Sequence, residues 1–391
     1  MPGLANASAR GTSASPSPNE LGPSPNERGR GPHDLVRGRH GRARERHGRR
    51  QGCRVAPPTR SSSHVSVPAG RGSAATSPVV PAPAKGTPSG AWSGTSSAHG
   101  TPVASILAGA PIAAAIREQV SADVAAFRRR HGYVPALAIL VLGRDPSFAV
   151  YVRQIVRACA AVGLQGREVR VTGRLSPGAV RRALLELGAD PQVAGVIVQH
   201  PLPRAVPLRT VLDSLPPAKD VDGVTPEHAG RLTLGLPAFA PATAQAAIEI
   251  LEHAGIELEG RHAVVVGRSR VVGRPVAQLL LQRHCTVTIC HSRTRDLADH
   301  TRRADVLVVA AGSPGLVTGS MIKPGATVID VGTTVVDGRV VGDVDAASAC
   351  EVAGALTPVP GGVGPVTNAV LLQHVIRAAR EQVRGSRPNR R

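Results

Sequence analysis

The chain has 391 residues, 42% of them hydrophobic, and a formal net charge of +20 from 47 Lys and Arg against 27 Asp and Glu. Its length allows two or three domains. Because no apolar run approaches the ~18 residues of a membrane-spanning helix, and the N-terminus lacks the apolar core of a secretory signal, we expect a cytoplasmic protein with no membrane partner.

Residues 1–102 form an N-terminal segment that is rich in Ser, Pro, Gly and Arg and has no lasting apolar periodicity. Such a segment cannot bury enough apolar surface to offset the entropy of ordering, so we predict that it is disordered. Residues 384–391 are a second, short basic tail. A nucleic-acid partner would depend on these tails alone, and they lack interleaved aromatic residues, so solvated tails are the favoured interpretation.

The N-terminal segment also bears on the translation start. The chain has two methionines, Met1 and Met321, whereas the regular apolar pattern begins just after Val103. We expect residues 1–102 to be dispensable or untranslated, with Val103 as the start. N-terminal sequencing of the native protein and the folding of a chain that begins at Val103 test the two halves of this expectation.

From Val103 onward, apolar patterns of helical and strand spacing alternate. The first series predicts, in order, helix 109–132, strand 136–142, helix 149–163, strand 167–171, helix 177–190 and strand 193–199. Strands that alternate with helices of this length are typical of parallel βαβ units. We therefore predict an α/β domain over residues 103–238.

A second series follows a break rich in Pro and Gly at about residues 223–241. It predicts helix 242–255, strand 262–267, a helix within 271–284, strands 286–290, 305–312 and 326–332, and a closing helix 367–383. We assign residues 239–364 to a second, Rossmann-like α/β domain. The closing helix (365–383) is expected to pack back onto the first domain, which makes that domain discontinuous in sequence. The predicted fold class is thus α/β with two domains.

The five cysteines are scattered, with no CxxC pair and no spacing to histidines that is typical of a metal site. Three lie within or beside apolar patterns and are expected to be small buried hydrophobic residues: Cys159, Cys285 and Cys290. We therefore expect a reducing compartment and no metal.

The segment HAVVVGRSRVVGRP places Gly267 and Gly273 between a predicted strand and a predicted helix. It departs from the dinucleotide-binding pattern G-x-G-x-x-G, because Ser269 occupies the second glycine position and the last glycine comes one residue late. The segment can still serve the same purpose, because a tight turn presents backbone N–H groups and a helix N-terminus to a phosphate. Alone, the pattern also fits an ordinary turn between a strand and a helix.

The neighbouring strand indicates which dinucleotide would bind. NAD enzymes usually end that strand with an acid that holds the ribose 2′-hydroxyl, but strand 286–290 runs into His-Ser-Arg-Thr with no acid. Arg268 and Ser292 could together hold a 2′-phosphate, because planar guanidinium donors match phosphate oxygens. The sequence favours NADP over NAD, and two exposed polar loops are the alternative.

Three segments of the first domain contain polar residues that packing of the fold does not require. Tyr151 lies in the first turn of a predicted helix, Gln199 ends a strand, and KDVDG (219–223) clusters two acids and a lysine before a glycine. In an α/β sheet the loops at the carboxyl ends of the strands face the ligand crevice. Each segment alone could equally be ordinary loop chemistry.

Together these segments resemble the bifunctional methylenetetrahydrofolate dehydrogenase/cyclohydrolase family. The matching motifs, in chain order, are VQHPLP, KDVDG, GRSRVVGRP, CHSRT, KPGATVIDVG, VVGDVD and TPVPGGVGPVT. The match runs from about Ile106 to Ala379. The resemblance implies oxidation of 5,10-methylenetetrahydrofolate to the methenyl form by hydride transfer to NADP, then hydrolysis to 10-formyltetrahydrofolate in the same cleft. It also implies a homodimer.

The resemblance further implies roles for individual residues. Tyr151 would stack on the folate ring system, Asp222 would bind the edge of the pterin, and Gln199 would belong to the catalytic network. The implied substrate loop contains Pro360, Gly361 and Gly362. The implied cofactor residues are Gly267, Arg268, Ser269, Gly273, Ser292, Thr333 and Thr367.

The chain departs from the family at one catalytic position. The family pattern Tyr-Val-x-x-Lys reads Tyr-Val-Arg-Gln-Ile here, so Ile155 stands at the lysine position, four residues after Tyr151. Arg153 and Arg157 lie about 200° away around the helix and are not natural substitutes. The serine usual in the preceding loop aligns with Phe148, which could crowd the folate. Hydride transfer mainly needs geometry, but loss of acid–base help costs hydrolysis about 10²–10⁴-fold. We therefore expect a dehydrogenase with impaired cyclohydrolase activity.

Two other functions stay open at this point. The chain could be a specialised relative that acts on another folate-like substrate. It could also be a non-catalytic binding protein whose basic tail binds nucleic acid. Reduction of NADP in the presence of methylenetetrahydrofolate separates the dehydrogenase from both, and salt-sensitive nucleic-acid binding by the tail would support the last.

Overall fold

The computed structural model describes residues 104–143, 146–171, 173–199 and 201–385. The predicted disorder of residues 1–102 and nearly all of the C-terminal basic tail lie outside this part of the chain, as do the side chains of Phe148 and Tyr151. No helix among the described residues is long and apolar enough to cross a membrane.

The first half of the described chain alternates strands and helices as predicted. Its elements are β1 (Ser105–Ile106), α1 (Gly109–His131), β2 (Ala136–Val141), α2 (Pro146–Ala161), β3 (Gln165–Arg170), α3 (Pro177–Ala189), β4 (Val193–Val198), α4 (Leu208–Leu212) and α5 (Pro226–Thr233). Strands β3, β2 and β4 form a three-stranded parallel sheet in that order. The central strand β2 is buried at every position, which explains why its sequence is a continuous apolar run.

The second half contributes five strands to a parallel sheet of six, and β1 of the first half is the sixth. Its elements are α6 (Ala242–His253), β5 (His262–Val266), α7 (Gly273–Leu281), β6 (Thr286–Cys290), α8 (Leu297–Thr301), β7 (Val306–Val309), β8 (Thr327–Asp330), β9 (Thr334–Val336), β10 (Arg339–Val341), α9 (Ala346–Cys350), β11 (Ala355–Leu356) and α10 (Val363–Gly385). The sheet order is β1-β11-β8-β7-β5-β6, and β9 and β10 form a separate antiparallel hairpin. The predicted two-domain α/β fold with a Rossmann-like second domain is confirmed.

The C-terminal helix α10 returns to the first half of the chain, as predicted. It packs along α1 and also against α6 and β4. Arg380 on α10 forms an ion pair with Asp123 on α1 at 2.8 Å, and Nδ1 of the buried His374 donates a hydrogen bond to the Val221 oxygen at 2.9 Å. A single hydrophobic cluster takes residues from α1, β2, α2, α6, β5 and α10. The domain boundaries at residues 238 and 364 stay a prediction.

Several short elements were not predicted. The break at 223–241 contains α5, which begins with a proline at its first turn, the position where proline is tolerated. The two-residue strands β1 and β11, the hairpin β9–β10 and the one-turn helices α4, α8 and α9 are too short to show a period in the sequence. Helix α10 also begins four residues earlier than predicted. These elements depend on tertiary contacts more than on local patterning.

Three of the cysteines are buried as expected. Cys159 and Cys290 are fully buried, and Cys285 is 3% exposed. Burial raises the pKa of the Cys159 thiol to about 12, so this group stays protonated at neutral pH. Among the described residues the cysteines form no disulfide.

Candidate functional site

The turn after β5 is closed by backbone contacts at two glycines. Gly267 has φ 130°, and its N–H donates to the Cys290 oxygen at 2.8 Å. A Cβ on Gly267 would overlap the main-chain oxygen of Ala310, and a Cβ on Gly273 would overlap that of Gly267. Both positions therefore require glycine, and α7 can begin directly against the strand end. This is the close approach that a phosphate-binding turn needs.

Ser269 binds the backbone N–H groups at the start of α7. Its Oγ accepts hydrogen bonds from the N–H groups of Val272 at 3.1 Å and Gly273 at 3.3 Å. The Arg274 N–H donates to the Ser269 main-chain oxygen at 3.1 Å. These three amides are thus bound within the protein. The turn offers a phosphate the positive end of the helix and nearby cationic side chains rather than these amides.

The ends of β5 and β6 carry the residues expected to hold a 2′-phosphate. The two strands pair in parallel with Val266 opposite Cys290, so the segments that follow them leave the same edge of the sheet. Arg268 and Ser292 are both exposed there. Within the described part of the chain, no ion pair or side-chain hydrogen bond engages the guanidinium groups around this edge: Arg268, Arg270, Arg274, Arg293 and Arg295. They are available to an anion.

Two residues predicted for the folate side, Gln199 and Asp222, each follow a segment that contacts the smaller sheet. The Gln199 N–H donates to the Leu140 oxygen at 3.0 Å, directly after β4. Asp220 forms an isolated parallel bridge with Val196 of β4. Asp222 follows this bridge by two residues, within a turn in which the Gly223 N–H donates to the Asp220 oxygen at 3.4 Å. That Gln199 and Asp222 belong to one site stays a prediction.

Asp222 has a perturbed carboxyl group. Its side chain is half-buried, and Oδ1 accepts a hydrogen bond from the Ala242 N–H at 3.3 Å, at the start of α6. Burial raises the pKa of Asp222 to about 6, and the nearby Asp220 adds to this, whereas the Ala242 N–H acts in the opposite direction. The carboxyl group is consequently ionised only above mildly acidic pH.

Ile155, at the position of the family's lysine, is surrounded by other apolar side chains. Its side chain is 3% exposed and belongs to the hydrophobic cluster shared by α1, α2, β2 and α10. Arg153 and Arg157, on the same helix, are exposed. Neither arginine takes over the buried position.

The chain has three lysines, and the two in the described residues are committed elsewhere. Lys219 is buried, and its Nζ donates to the oxygens of Asp190, Val193 and Gln382. Val193 begins β4 and Gln199 follows its end, about 20 Å away at the rise of a strand. Burial lowers the pKa of Lys219, although Asp190 opposes this. Lys219 therefore joins β4 to α10, a structural role that the sequence had not separated from the acids of KDVDG.

Lys323 is also far from the folate side. Its Nζ forms an ion pair with Asp305 at 2.6 Å, at the amino end of β7. The catalytic loops lie at the carboxyl ends of the strands. Since Lys85 lies outside the described residues, the part of the chain that the structure describes contains no lysine at the site.

The predicted substrate loop contacts the start of α1. The Gly361 oxygen accepts a hydrogen bond from the Gly109 N–H at 2.8 Å, and the Gly362 N–H donates to the Pro358 oxygen at 2.8 Å. Pro360 and Gly361 are exposed, whereas Gly362 is buried. The peptide bond before Pro360 is cis. This loop thus joins β11 to α10 and leaves its tip accessible.

The remaining two predicted cofactor residues differ in their surroundings. Thr333 is exposed between β8 and β9, at the same edge of the sheet as the glycine turn. Thr367 is half-buried on α10, and its hydroxyl donates to the Val363 oxygen at 3.1 Å. Thr333 is available to a ligand in this arrangement, whereas the Thr367 proton is used within the helix.

Two buried acids near the edge of the sheet where β5 and β6 end were not predicted from the sequence. Asp330 ends β8, and Asp343 lies in the segment between β10 and α9. Burial raises the pKa of Asp330 and the neighbouring Asp343 adds to this, while three backbone N–H groups oppose it. The one available signal was an acid at the end of an otherwise apolar strand, which a sequence pattern does not distinguish from an exposed strand end.

Comparisons with known proteins cover nearly all of the described chain. The family model "Tetrahydrofolate dehydrogenase/cyclohydrolase, catalytic domain" matches residues 107–222, and "Tetrahydrofolate dehydrogenase/cyclohydrolase, NAD(P)-binding domain" matches residues 241–383. The bifunctional protein FolD 1 of Rhodococcus jostii is 52% identical over 277 residues, which is 71% of this chain and 93% of that protein. FolD of Chloroflexus aggregans is 47% identical over 281 residues, 72% and 99% of the two chains.

Solved structures give the same result. The bifunctional enzyme FolD of Campylobacter jejuni superposes with a TM-score of 0.69 at 36% identity and covers 71% of this chain and 99% of its own. The methylenetetrahydrofolate dehydrogenase-cyclohydrolase of Trypanosoma brucei, in complex with NADP and an inhibitor, gives a TM-score of 0.68 at 37% identity over 72% and 99%. Both similarities extend over the two halves of the fold.

Proposed function

Because the chain belongs to the tetrahydrofolate dehydrogenase/cyclohydrolase family, we propose that it oxidises 5,10-methylenetetrahydrofolate to 5,10-methenyltetrahydrofolate, with NADP⁺ as the hydride acceptor. One observation carries the proposal: the glycine turn is closed as a dinucleotide site requires, beside strand ends that carry Arg268 and Ser292 and no acid. The family match supplies the folate substrate and the place of the enzyme in one-carbon metabolism.

The residues at the edge of the six-stranded sheet suit NADP better than NAD. An exposed guanidinium with no partner in the described chain can bind a phosphate with two parallel hydrogen bonds. An NAD site would instead place a carboxylate after β6. The Trypanosoma brucei relative, which binds NADP, has the same fold at 37% identity. We assign the 2′-phosphate to Arg268 and Ser292, and the diphosphate to the turn from Gly267 to Gly273.

The folate side is proposed to orient the substrate. Asp222, once ionised, can accept the adjacent N–H donors of a pterin edge, and we assign to Gln199, which follows β4, an amide contact in the same site. Tyr151 is proposed to stack on the flat ring system, because an aromatic face supplies contact area and orientation. When bound, NADP⁺ supplies the hydride acceptor. The task of the protein is to hold the two ligands in reacting geometry.

The second family reaction places different demands on the protein. Hydrolysis of the methenyl product must activate water and move protons, and loss of a general acid or base costs about 10²–10⁴-fold. Ile155 can neither donate nor accept a proton, and Lys219 and Lys323 are held at distant sites. We propose that cyclohydrolase activity is impaired while the dehydrogenase is retained.

A single assay tests both parts of this proposal. The purified full chain is mixed with methylenetetrahydrofolate and NADP⁺, and NADPH and methenyltetrahydrofolate are followed simultaneously. We expect both to appear in equal amounts and the methenyl form to persist. Failure to form NADPH would contradict the dehydrogenase and favour a relative with another folate-like substrate or a non-catalytic binding protein. NADPH without accumulation of the methenyl form would show that hydrolysis is intact.

We also propose that the protein acts as a homodimer in the cytoplasm. Family membership supports the dimer, and the free cysteines of the described chain, three of them buried, suit a reducing compartment. Light scattering of the purified full chain measures the assembly directly. A monomeric mass at the protein concentration used in the assay would contradict the dimer without affecting the proposed reaction.

A further inference from the structure

Two carboxylates are buried at the cofactor edge of the six-stranded sheet, where the proposed reaction does not use them. Asp343 is fully buried and Asp330 is 3% exposed. Both are bonded to backbone N–H groups of loops that end at this edge. Acids are rarely this deeply buried unless their charge is satisfied by specific partners.

Asp343 holds the loop that follows β7. Its Oδ2 accepts hydrogen bonds from the N–H groups of Ala311 at 2.6 Å and Gly312 at 2.8 Å. Both residues are exposed. The buried carboxylate therefore holds the inner side of a loop whose outer side faces solvent. The other oxygen, Oδ1, has no hydrogen-bond partner among the described residues. The side chain therefore bonds this one loop and nothing else.

The loop held by Asp343 lies against the glycine turn. The Ala310 N–H donates to the Val266 oxygen at 2.7 Å, and the Ala310 oxygen closes off the space where Gly267 would otherwise carry a Cβ. Ala311 is the next residue along. A shift of the Ala311–Gly312 loop would consequently move the surface against which the phosphate-binding turn packs.

Asp330 fixes Asp343 in turn. Its Oδ1 accepts from the N–H groups of Gly332 at 2.9 Å and Asp343 at 3.0 Å, and its Oδ2 accepts from Val344 at 3.0 Å. Gly332 leaves room for the second carboxylate, since a Cβ there would come within 2.6 Å of Asp343 Oδ1. The two acids thus connect the loops after β7 and β8 to the segment before α9.

We propose that Asp343 is a positioning residue for the dinucleotide: its carboxylate holds the Ala311–Gly312 loop against the turn at Gly267, and thereby sets the affinity for NADP. The inference rests on the proposed function for the identity of the cofactor. A residue that only stabilised the fold could use both carboxylate oxygens or an apolar side chain. Leaving Oδ1 buried without a partner costs stability, whereas aiming Oδ2 at two N–H groups fixes the cofactor loop.

The test compares NADP binding by the wild-type chain, Asp343→Ala, Asp343→Asn and the matched control Asp345→Ala. Asp345 is an exposed acid two residues away whose side chain makes no capping hydrogen bond. The dissociation constant is measured by titration with NADP, which needs no turnover, and thermal unfolding checks the fold. The KM for methylenetetrahydrofolate is measured in parallel.

We expect Asp343→Ala to weaken NADP binding about tenfold, because two hydrogen bonds to a charged acceptor are lost. Asp343→Asn keeps one acceptor oxygen for the two N–H groups, so it should fall between Ala and wild type. The KM of Asp343→Ala for methylenetetrahydrofolate should stay within about twofold of wild type. The NADP dissociation constant of the Asp345→Ala control should also stay within about twofold of wild type. A purely structural role would instead lower the folded fraction and leave NADP affinity unchanged.

Each outcome decides one proposal. A folded Asp343→Ala variant with wild-type NADP affinity would overturn the positioning role. If that variant does not fold, Asp343→Asn decides, and an unchanged NADP affinity in it would overturn the role as well. Wild-type protein that binds NADP but does not oxidise methylenetetrahydrofolate would contradict the proposed reaction alone. Wild-type protein that fails to bind NADP would contradict the cofactor and, with it, this inference.

Discussion

The Cα of Gly273 lies directly against the main-chain oxygen of Gly267, so that a Cβ on Gly273 would overlap this oxygen. The two residues stand on either side of the turn between β5 and α7. Their contact brings the first turn of the helix against the end of the strand. It is the close approach that the proposed phosphate site requires.

Gly273→Ala should therefore damage both the fold and cofactor binding. We expect the free energy of unfolding to fall by about 1–3 kcal/mol, the usual cost of forcing an extra methyl group into packed structure. NADP binding should weaken as well, because the helix must move away from the strand. Urea unfolding and NADP titration measure the two effects.

Gly230→Ala is the matched control for this change. Gly230 lies inside α5, has an ordinary helical φ, and has nothing within 4 Å of a Cβ added there. The control should stabilise the protein by roughly 0.5–1 kcal/mol, as alanine does in a helix interior. Equal stability of the two variants would show that the backbone at Gly267 relaxes at little cost.

Arg268→Ala should separate the two dinucleotides. The loss of a charged partner for the 2′-phosphate should cost about 1.5–3 kcal/mol of NADP binding and leave NAD nearly unaffected. Arg261→Ala is the control, because Arg261 precedes β5 at the opposite edge of the sheet and pairs with Glu257. Dissociation constants for both dinucleotides measure the effect. Equal losses for NADP and NAD would remove the assignment of Arg268 to the 2′-phosphate.

Ile155→Lys should restore part of the hydrolysis reaction. The new side chain would place an ammonium four residues after Tyr151, on the same helix face. Methenyltetrahydrofolate should then disappear faster than in the wild-type assay, where we expect little more than the buffer rate. Ile155→Met is the control: its side chain is similar in length to lysine but has no ionisable group, so it should leave hydrolysis unchanged.

The rescue must be interpreted together with stability. Position 155 is buried, and burial lowers the pKa of a lysine and favours its neutral form. Thermal unfolding of the lysine variant therefore accompanies the assay. Robust hydrolysis by the wild-type chain would contradict the assignment, because another residue would then supply the proton chemistry.

Asp222→Asn should stabilise the folded protein at neutral pH while it weakens folate binding. The pKa of Asp222 is raised from 3.8 to about 6 in the folded state. Above pH 6 the group is ionised in both the folded and the unfolded state, and its burial penalises the folded one. Below pH 4 it is protonated in both, and the penalty is absent. The gain from Asn should therefore be full above pH 6, shrink as the pH falls, and vanish near pH 4.

Thermal unfolding across this pH range measures the gain, and a folate titration measures the loss of binding. Asp213→Asn is the control, since Asp213 is exposed and pairs with Arg209 at 3.0 Å. A stability gain that is largest at pH 4 would contradict the direction of the pKa shift. Unchanged folate affinity in Asp222→Asn would remove this residue from the substrate site.

The sequence predicted the main elements and part of the site, for reasons that are local. Strand β2 is a continuous apolar run because both of its faces are covered. The absence of an acid after β6 is a property of consecutive residues, and it pointed to NADP without any coordinates. The isoleucine at position 155 could be singled out only through the resemblance to the family pattern, and helical spacing then showed that Arg153 and Arg157 lie on another face.

Other site features could not be predicted, because their partners are far apart in sequence. Lys219 belonged to the polar cluster KDVDG in the sequence, yet its ammonium binds oxygens of β4 and α10. Asp343 belongs to the matching motif VVGDVD, but nothing in that motif shows that the side chain is buried under the loop that follows β7. No spacing rule indicates which acid in a chain meets two N–H groups that lie 31 and 32 residues earlier.

By itself, then, the sequence determined the periodic elements, the glycine turn and the chemistry available at each position, since these depend on neighbouring residues and on side-chain type. Tertiary structure alone decided the rest. The buried hydrogen bond from His374 to Val221, 153 residues away, anchors the last helix to segment 219–223. Only the folded chain determines which polar groups lose their water, and buried groups must then find partners wherever the backbone brings them.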